Sequence, residues 1–511
     1  MSYTQPPAGG FDPAPTESDA VMIEYSAGAA PDPSLYNEDL APLKLSQRRW
    51  GPFAIFNVWT NDVQSIGGYT LAAGLFIGAG INGWWVFAAI VAAGVFINWL
   101  VNLSGRPSVK YGVPYAVVAR SSMGVRGAIF PATIRGIVAI FWYGCQTYFA
   151  STAVALAINA LADNPQSGTF LHMNAVDWIS FIIVAVLQTL LFWKGLGWIE
   201  KFLNFAGPAV YVVMVALLIV IWVKAGDKML DGVANIFNQN DKHGADYFTA
   251  IMIVFGTMVS YFAAVVINFG DFARFTRSTK AMKRGNFLGL PVSLTFFTFL
   301  ALFTTAGAYV LGYATDTGDP IENPTQLINA VDNTALSVIA AFAFLFATVG
   351  INLVANFIPP AYDLANLWPS KINFKIGGMI TAVIGFVIGG LWIGVIDTIG
   401  GFAKFVNTLG AILSPLYGIL IADYYVVKKR SLVVEDLFSM ERSRQYYFTG
   451  GWNLNGVVAV AIAGVFSVCT VWVPALGNLH GYEWFIGAAG GALLYIVLSI
   501  INPKKNAPIG A

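Results

Sequence analysis

Trp142 and Gln146 stand four residues apart inside an otherwise apolar stretch, GIVAIFWYGCQTYFA (136–150). A primary amide in hydrocarbon is costly unless a partner satisfies its donors and acceptors. Residues at this spacing lie on the same face of a helix. The pair therefore offers a flat stacking surface beside a group that both donates and accepts hydrogen bonds. That chemistry suits a small, flat, amide-rich ring, and the alternative is that this face packs against another helix.

Asp62 is the most informative single charge, because it lies inside an apolar segment. An ionisable residue in such a place is costly and usually faces a cavity or a partner. In a functional interpretation Asp62 binds a coupling cation or carries a proton. In a structural interpretation it caps an interrupted helix or pairs with a distant lysine. Gln64 and Ser65 are candidates for substrate contact, and since they point in different directions on a regular helix, we expect only one to reach the substrate.

Asn352 and Asn356 repeat the four-residue spacing in a later apolar stretch that ends at two consecutive prolines. Buried amides in a helix bundle often only join helices, each hydrogen bond contributing around 1 kcal/mol. Two amides on one face before a proline pair fit a cavity lining equally well. Asp271 and Arg274, in NFGDFARFTRS, are interpreted as an orientation-setting or gating charge pair rather than a substrate site.

Composition indicates that membrane helices position these side chains. Of 511 residues, 57% are hydrophobic and only 11% are charged, whereas roughly 25% are charged in soluble domains. Apolar stretches long enough to cross a hydrocarbon core of roughly 30 Å recur along the chain. We therefore predict an all-α polytopic membrane protein with about twelve transmembrane helices, here called spans one to twelve. They fall near 53–78, 82–103, 129–160, 175–193, 205–224, 248–268, 287–313, 335–358, 376–395, 402–425, 455–474 and 483–502.

Loop charges orient these spans. Basic residues cluster after spans two, six, eight and ten, whereas the alternate loops are acidic or uncharged, and only the loop after span five blurs this pattern. By the positive-inside rule we expect both termini in the cytoplasm, which also requires an even number of spans. The net charge of +1 is spread over short loops and indicates no nucleic-acid surface. Two cysteines within apolar stretches imply no disulfide framework.

Two spans look interrupted. Span one carries polar residues around Asp62 and then Gly67 and Gly68, while span six carries Gly256 and Thr257 followed by further polar residues. Polar, glycine-broken segments at matching positions five spans apart indicate an inverted-repeat transporter. The alternative is that the glycines simply allow close helix packing.

Six motifs together are highly specific: GPFAIFNVW (51–59), KYGVPYAVVAR (110–120), GVRGAIFPA (124–132), FWYGCQTY (141–148), ANFIPPAY (355–362) and SPLYGILIADYYVVKKR (414–430). Through them the chain resembles the nucleobase:cation symporter-1 family, whose members carry hydantoins, allantoin, cytosine, uracil, purines and related vitamins. The resemblance extends from about Gly51 to Phe438, over the first ten spans and the loop beyond.

The resemblance implies a LeuT-type fold, in which a 5+5 inverted repeat is followed by two C-terminal helices. Residues 1–48 can bury little apolar area, so we expect a disordered cytoplasmic tail there. The transmembrane domain is predicted over 49–502 and a cytoplasmic C-terminal tail over 503–511. Within that domain the predicted parts are repeat one (about 53–224), repeat two (about 248–425) and the extra helices (about 455–502).

The resemblance also implies a substrate site. In the family, substrate is held between an aromatic residue of span three and one of span six. On the matching positions these are Trp142 and, counting back from Asp271, Phe262. The family's span-three glutamine falls on Gln146 and its span-eight asparagine on Asn356.

The predicted ion site departs from the family. The family's polar substrate-binding position of span one falls on Ser65 or Gln64, because the register is loose there, but the ion ligands differ. Sodium-coupled members carry Ser-Thr hydroxyls five or six residues before the span-eight asparagine, where this chain has Gly350 and Ile351. Neither supplies a side-chain oxygen to a hard cation. We therefore expect H⁺ coupling with Asp62 as carrier, the alternative being Na⁺ held by Asp62 and main-chain carbonyls. The predicted ion-coupling residues are Asp62, Asn61 and Asn352, and no resident metal or cofactor is predicted.

These inferences predict a secondary active symporter that imports a planar nitrogenous ring across the inner (plasma) membrane by alternating access. The ring would be a nucleobase, allantoin or a hydantoin-like compound, coupled to H⁺ or Na⁺. Expected partners are this heterocyclic substrate and the lipid bilayer, with no nucleic acid and no obligate protein partner. Alternatives are a facilitative channel, which neither saturates nor accumulates, and a transporter-like receptor, which binds without flux. An enzyme is not predicted, because the sequence has no nucleotide-binding loop, metal-ligand spacing or nucleophile–base set.

Overall fold

The computed structural model describes residues 22–24, 31–162, 168–238, 242–315, 318–331 and 333–502. Over these ranges the chain is helical, with no β-strand. The all-α architecture predicted from composition is therefore confirmed. The predicted C-terminal tail and residues 1–21 and 25–30 of the predicted N-terminal tail lie outside the described residues.

The first half of the chain contains eight helices, numbered in chain order. They are α1 (Pro52–Val63) and α2 (Ile66–Gly78) for span one, α3 (Gly83–Tyr111) for span two, α4 (Tyr115–Met123) in the loop, α5 (Ile129–Leu161) for span three, α6 (Ala175–Trp193) for span four, α7 (Leu196–Ala225) for span five, and α8 (Lys228–Asn235) in the next loop.

The second half follows the same order with three π-helical insertions. Span six is α9 (Gly244–Asn268), followed by the short α10 (Gly270–Ala273), and span seven is α11 (Thr279–Phe287) and α12 (Ser293–Val310) around a π-turn (Leu288–Val292). After α13 (Pro324–Ala330) in the loop, span eight is α14 (Thr334–Ile351) and α15 (Ile358–Leu367) around a π-turn (Asn352–Phe357), and span nine is α16 (Phe374–Gly390) with α17 (Trp392–Ile399). Span ten is α18 (Phe402–Ile421) with a π-turn (Ala422–Val427), and spans eleven and twelve are α19 (Leu454–Trp472) and α20 (Glu483–Ile501).

Helix length and composition agree with these spans. Within the described ranges, nine helices are long and apolar enough to cross a membrane, and α16 with α17, bent by 67°, would make a tenth. The other two predicted spans are the broken pair α1–α2 and the 33-residue α5. At 1.5 Å per residue, α5 exceeds the length that a bilayer requires.

The predicted interruption of span one is confirmed. In span six the predicted interruption at Gly256 and Thr257 is wrong, and the helix is interrupted only at its end, between Asn268 and Gly270. Helix α1 ends at Val63 and α2 starts at Ile66, so Gln64 and Ser65 form a non-helical break. Helix α9 instead runs unbroken through Gly256 and Thr257. A Cβ at Gly256 would overlap the carbonyl of Gly481. The glycine is therefore needed for close packing, the alternative that the sequence left open.

Part of the tail predicted as disordered is folded. Residues 31–48 pack against the end of the bundle, where Leu40 is fully buried. The guanidinium of Arg48 donates to the carbonyls of Ile23 (2.9 Å), Leu43 (2.8 Å) and Val109 (3.1 Å). Because two of these acceptors, Ile23 and Val109, are main-chain carbonyls distant in sequence, composition gave no sign of them. The side of the bundle that carries this segment is called the tail side below.

Helix α5 lies at the centre of the fold and packs against α6, α14, α15 and α16. Its contact with α16 depends on three glycines, Gly144, Gly385 and Gly389. A Cβ at Gly144 would lie 2.7 Å from the Gly389 nitrogen and 2.8 Å from the Gly385 carbonyl oxygen. Small residues of this kind let helix backbones approach closely within a membrane.

Replacing Gly144 with valine is therefore expected to force α5 and α16 apart and to remove most of the folded protein. The measurement is the yield of monodisperse protein by fluorescence-detected size-exclusion chromatography in detergent. Gly394→Val is the matched control, because a Cβ there meets no atom within 4 Å. Equal yields for both variants would contradict the assigned helix contact.

Candidate functional site

A small cavity lined by buried residues lies at the centre of the bundle, where α1, α5, α9 and span eight meet. Its volume is about 10 Å³, room for roughly one water molecule. A ring-sized ligand therefore requires these walls to move apart. The cavity is lined by Asp62, Trp142, Gln146, Tyr261, Ala264, Val265, Ile351, Ala355 and Asn356.

Trp142 and Gln146 share the α5 wall of this cavity, as their spacing predicts. Trp142 is surrounded by aromatic rings, with centroids 5.3 Å from Tyr261 and 6.0 Å from Phe402. Gln146 is fully buried, and neither atom of its amide makes a well-formed hydrogen bond, although the Tyr261 hydroxyl lies close enough to interact with it. The amide lies against Gly67 of α2, where an added Cβ would be 3.1 Å from Nε2. A buried amide that lacks a well-formed hydrogen bond costs about 1–3 kcal/mol, so this polar wall is costly in the absence of a ligand.

The prediction that Phe262 is the aromatic partner of Trp142 is wrong. It packs against Trp59 of α1, with ring centroids 6.5 Å apart, and does not line the cavity. The preceding residue, Tyr261, faces Trp142 instead. Adjacent residues on a helix point about 100° apart, so a register error of one residue moves a side chain to another face.

The break in span one places its polar residues in different surroundings. Ser65 caps α2 by accepting a hydrogen bond from the Gly68 nitrogen (2.8 Å), and its hydroxyl also bonds the Tyr261 hydroxyl (3.1 Å). Gln64 is buried close to Tyr211 of α7 instead. Neither residue lines the cavity, but Ser65 connects to it through Tyr261. Of the two candidates, Ser65 is thus the one linked to the cavity.

Asp62 lines the cavity at the end of α1, and its Oδ2 has no hydrogen-bond partner. Asn61, next to it, donates to the Asn57 carbonyl (2.8 Å). A Cβ at Gly350 would overlap Asn61 Oδ1, so this amide fills the space that a side chain at 350 would need. Ile351 contributes only apolar surface to the cavity.

The two asparagines of span eight have different surroundings. Asn356 lines the cavity and donates from Nδ2 to Asn352 Oδ1 (3.1 Å). Asn352 is outside the cavity and donates to Gln188 Oε1 of α6 (2.6 Å), so its predicted place in an ion site is wrong. Sequence spacing sets the helix face of a residue, but not which neighbouring helix covers that turn. Gln188, which holds Asn352, was not singled out from the sequence.

A buried charge cluster on the tail side of the cavity was missed. Arg135 lies seven residues before Trp142 on α5 and is fully buried. It donates to Asn268 Oδ1 (3.0 Å) and the Ala355 carbonyl (2.9 Å), and its Nε lies 3.9 Å from Asp363 Oδ2. Ala355 has a free carbonyl because residue 359 is proline and has no N–H to donate. The sequence signal was available, since Arg135 is a charge inside predicted span three.

Asp271 and Arg274 interact electrostatically, but they form no direct salt bridge. Asp271 accepts hydrogen bonds from the Tyr115 nitrogen (2.8 Å) and Asn268 Nδ2 (3.0 Å). Arg274 instead donates to the carbonyls of Asp39 and Ala41 in the folded N-terminal segment. Asp271 thus belongs to the Arg135 cluster.

A larger cavity of about 710 Å³ lies on the side away from the tail, between α2, α9 and α18. Phe402 lines it and also packs against Trp142, so this ring stands between the two cavities. Four charged side chains line the larger cavity: Lys242, Asp246, Glu322 and Lys404. No group of three or more His, Cys, Asp or Glu residues within the described ranges is arranged to hold a metal ion.

Comparison with known proteins gives concordant matches. Residues 42–487 match the family described as permeases for cytosine/purines, uracil, thiamine and allantoin. An allantoin permease of Bacillus subtilis is 30% identical over 482 residues, covering 93% of this chain and 95% of that protein. A purine-uracil permease of Arabidopsis thaliana is also 30% identical, covering 93% of this chain and 80% of that protein.

A solved structure of Mhp1, a nucleobase-cation-symport-1 family transporter in a closed conformation with bromovinylhydantoin bound, matches the fold. Its TM-score is 0.76 at 24% identity, over 92% of this chain and 96% of that chain. This likeness confirms the predicted LeuT-type arrangement of helices.

Proposed function

Because the chain belongs to the family of permeases for cytosine/purines, uracil, thiamine and allantoin, a multi-pass membrane transporter and not an enzyme, we propose that it is a secondary active symporter for a planar, amide-rich heterocycle. The substrate is a nucleobase, allantoin or a hydantoin-like ring. It stacks on Trp142, while Gln146 and Asn356 bond its polar edges. The loop charges support a cytoplasmic location for the tail side.

The observation that carries this proposal is the amide of Gln146. It is buried beside an aromatic face, in a cavity lined by buried residues, and its only polar neighbour among the described residues is the Tyr261 hydroxyl, with which it makes no well-formed hydrogen bond. A ligand that carries ring amides would satisfy this group and gain stacking worth about 1–3 kcal/mol, by analogy with base–aromatic contacts. Opening towards the larger cavity requires Phe402 to leave Trp142, and opening towards the tail side requires the Arg135 cluster to separate from α9. Access from one side at a time is the requirement for coupled transport.

The test is a panel of radiolabelled uracil, cytosine, allantoin and hydantoin, offered to proteoliposomes that contain the purified chain. We expect saturable uptake of at least one ring, with accumulation above the external concentration when an ion gradient is imposed. Uptake that neither saturates nor accumulates would indicate a channel, and binding without uptake would indicate a receptor.

Proton coupling is proposed for the ion half of the cycle, because the cavity contains the carboxylate of Asp62 and no hydroxyl at Gly350 or Ile351. We expect an inward pH gradient to drive accumulation and a sodium gradient to have no effect. Asp62→Asn cannot take up a proton at this position. It is therefore expected to lose gradient-driven accumulation while retaining the exchange of labelled for unlabelled substrate.

The control for this experiment is Asp397→Asn, which neutralises an exposed carboxylate on α17. It should accumulate substrate as the wild type does. Accumulation driven by sodium and indifferent to pH would remove Asp62 from the proposed role as proton carrier.

A further inference from the structure

The hydrogen bonds behind Asn356 fix which end of its amide is available to a ligand. They begin at the main-chain carbonyl of Tyr143 on α5, an atom that can only accept. This oxygen receives the Thr147 hydroxyl (2.6 Å) and Asn352 Nδ2 (3.1 Å). Since the Thr147 proton is used there, its Oγ1 acts as the acceptor for Asn352 Nδ2 (3.0 Å). Gln188 Oε1 provides a third acceptor at 2.6 Å.

This arrangement determines the orientation of Asn352 by chemistry. Turning its amide over would place Oδ1 against the Tyr143 carbonyl, which cannot donate, and against Thr147 Oγ1, whose proton is already used. Gln188 keeps Oε1 towards Asn352 because its Nε2 donates to Thr147 Oγ1 (3.1 Å). All five residues are buried: Tyr143, Thr147, Gln188, Asn352 and Asn356. A buried polar group that faces like groups loses its hydrogen bonds and bears the full cost of desolvation. Asn352 Nδ2 therefore points to α5 and α6, and Oδ1 points towards Asn356.

The same reasoning fixes the orientation of the Asn356 amide, which lines the cavity. Asn352 Oδ1 can only accept, so Asn356 must turn its Nδ2 towards it, as the 3.1 Å hydrogen bond shows. The acceptor that Asn356 keeps for a ligand is its carbonyl oxygen, Oδ1. Gln146 is different, because neither end of its amide makes a well-formed hydrogen bond and its neighbour, the Tyr261 hydroxyl, can donate or accept, so the amide can turn to suit a donor or an acceptor.

We propose that Asn352 is a positioning residue that, held by the Tyr143 carbonyl, Thr147 and Gln188, presents Oδ1 of Asn356 to the cavity, so that a transported ring must carry an N–H donor at that edge. This inference rests on the proposed function and narrows its substrate class. Rings whose N–H at this edge is methylated or replaced by an acceptor are excluded. Variation at the opposite edge is tolerated, because Gln146 adapts.

The experiment measures inhibition of uptake by singly N-methylated analogues of whichever panel ring is transported. For the wild type, methylation of one ring nitrogen should raise the inhibition constant by about 100-fold or more, because a site built for an N–H rejects a ligand that lacks it. Equal inhibition by the parent ring and every N-methyl analogue would overturn the proposal without any variant.

Two near-isosteric variants distinguish a role of Asn352 in positioning Asn356 from a purely structural role in holding helices together. Asn352→Leu frees the Asn356 amide to rotate and should reduce this discrimination at least about tenfold, the value of one hydrogen bond. Gln188→Met removes one partner but leaves the Tyr143 carbonyl and Thr147 in place, so discrimination should persist. A purely structural role predicts lower protein yield for both variants and an unchanged ratio of inhibition constants, which would overturn the proposal.

Asn356→Ala distinguishes failure of this inference from failure of the proposed function. If Asn356→Ala transports like the wild type, the cavity is not the substrate site. If Asn356→Ala is impaired while Asn352→Leu still discriminates, only the positioning role is wrong. In the Asn352→Leu/Asn356→Ala double variant, the loss of discrimination should equal that of Asn356→Ala alone, since residues acting as one unit are not additive.

Discussion

Replacing Gln146 with alanine is expected to abolish uptake, lowering kcat/KM by about 100-fold or more. Among the described residues the amide makes no well-formed hydrogen bond and has only the Tyr261 hydroxyl as a polar neighbour, so its donors and acceptor can serve substrate. Losing two ligand hydrogen bonds of about 1.5 kcal/mol each reduces binding by roughly 3 kcal/mol, close to 100-fold. Initial rates in proteoliposomes measure this effect. Gln326→Ala, which removes an exposed glutamine from α13, should transport normally.

A second variant at the same position tests the physical reason directly. Gln146→Leu keeps most of the side-chain volume and removes the unsatisfied amide, so without substrate it should be more stable than the wild type. The expected gain is about 1–3 kcal/mol, the cost of a buried unpaired polar group. Thermal unfolding in detergent measures its direction. Wild-type uptake by Gln146→Ala or Gln146→Leu would contradict the assignment of Gln146 to the substrate site. A Gln146→Leu variant less stable than the wild type would show that the protein itself forms hydrogen bonds to the amide.

The elements of the fold were predictable, because each depends on a local pattern. Apolar stretches of about twenty residues locate the spans, and a polar run followed by two glycines locates the break at Gln64 and Ser65. The N-terminal segment was not predictable. Its stability depends on Arg48 meeting carbonyls at Ile23 and Val109, and such partners are set by tertiary structure rather than by composition.

The candidate site was predictable where one helix supplies both residues, and less so where two helices meet. Trp142 and Gln146 follow from spacing on α5 alone. To predict whether Tyr261 or Phe262 faces Trp142, one must know how α9 is rotated about its axis relative to α5. Residue spacing does not give this rotation. Asn352 lies on the same helix face as Asn356, yet its side chain contacts Gln188 of α6 and does not line the cavity. Only the packing of span eight against α5 and α6 separates these two roles.

Replacing Arg135 with methionine is expected to destabilise the protein by about 3–5 kcal/mol, the cost of breaking a buried ion pair by removing one partner. Its guanidinium is the counter-charge of Asp363, whose carboxylate oxygens have no hydrogen bond among the described residues. Asp271 keeps two other donors, from Tyr115 and Asn268. The loss therefore falls mainly on Asp363 and on the freed Ala355 carbonyl. Chemical unfolding in mixed micelles and the yield of monodisperse protein measure it.

The double variant Arg135→Met/Asp363→Asn distinguishes charge from packing. An amide at 363 needs no counter-charge, so the double variant should recover much of the stability lost by Arg135→Met alone. Asp363→Asn by itself should be milder, because Arg135 keeps Asn268 and the Ala355 carbonyl as acceptors. If the double variant is as unstable as Arg135→Met, packing of the arginine matters more than its charge. If it folds but opens readily to the tail side without substrate, the cluster is a closing contact between α5 and α9, since Arg135 bonds α9 through Asn268.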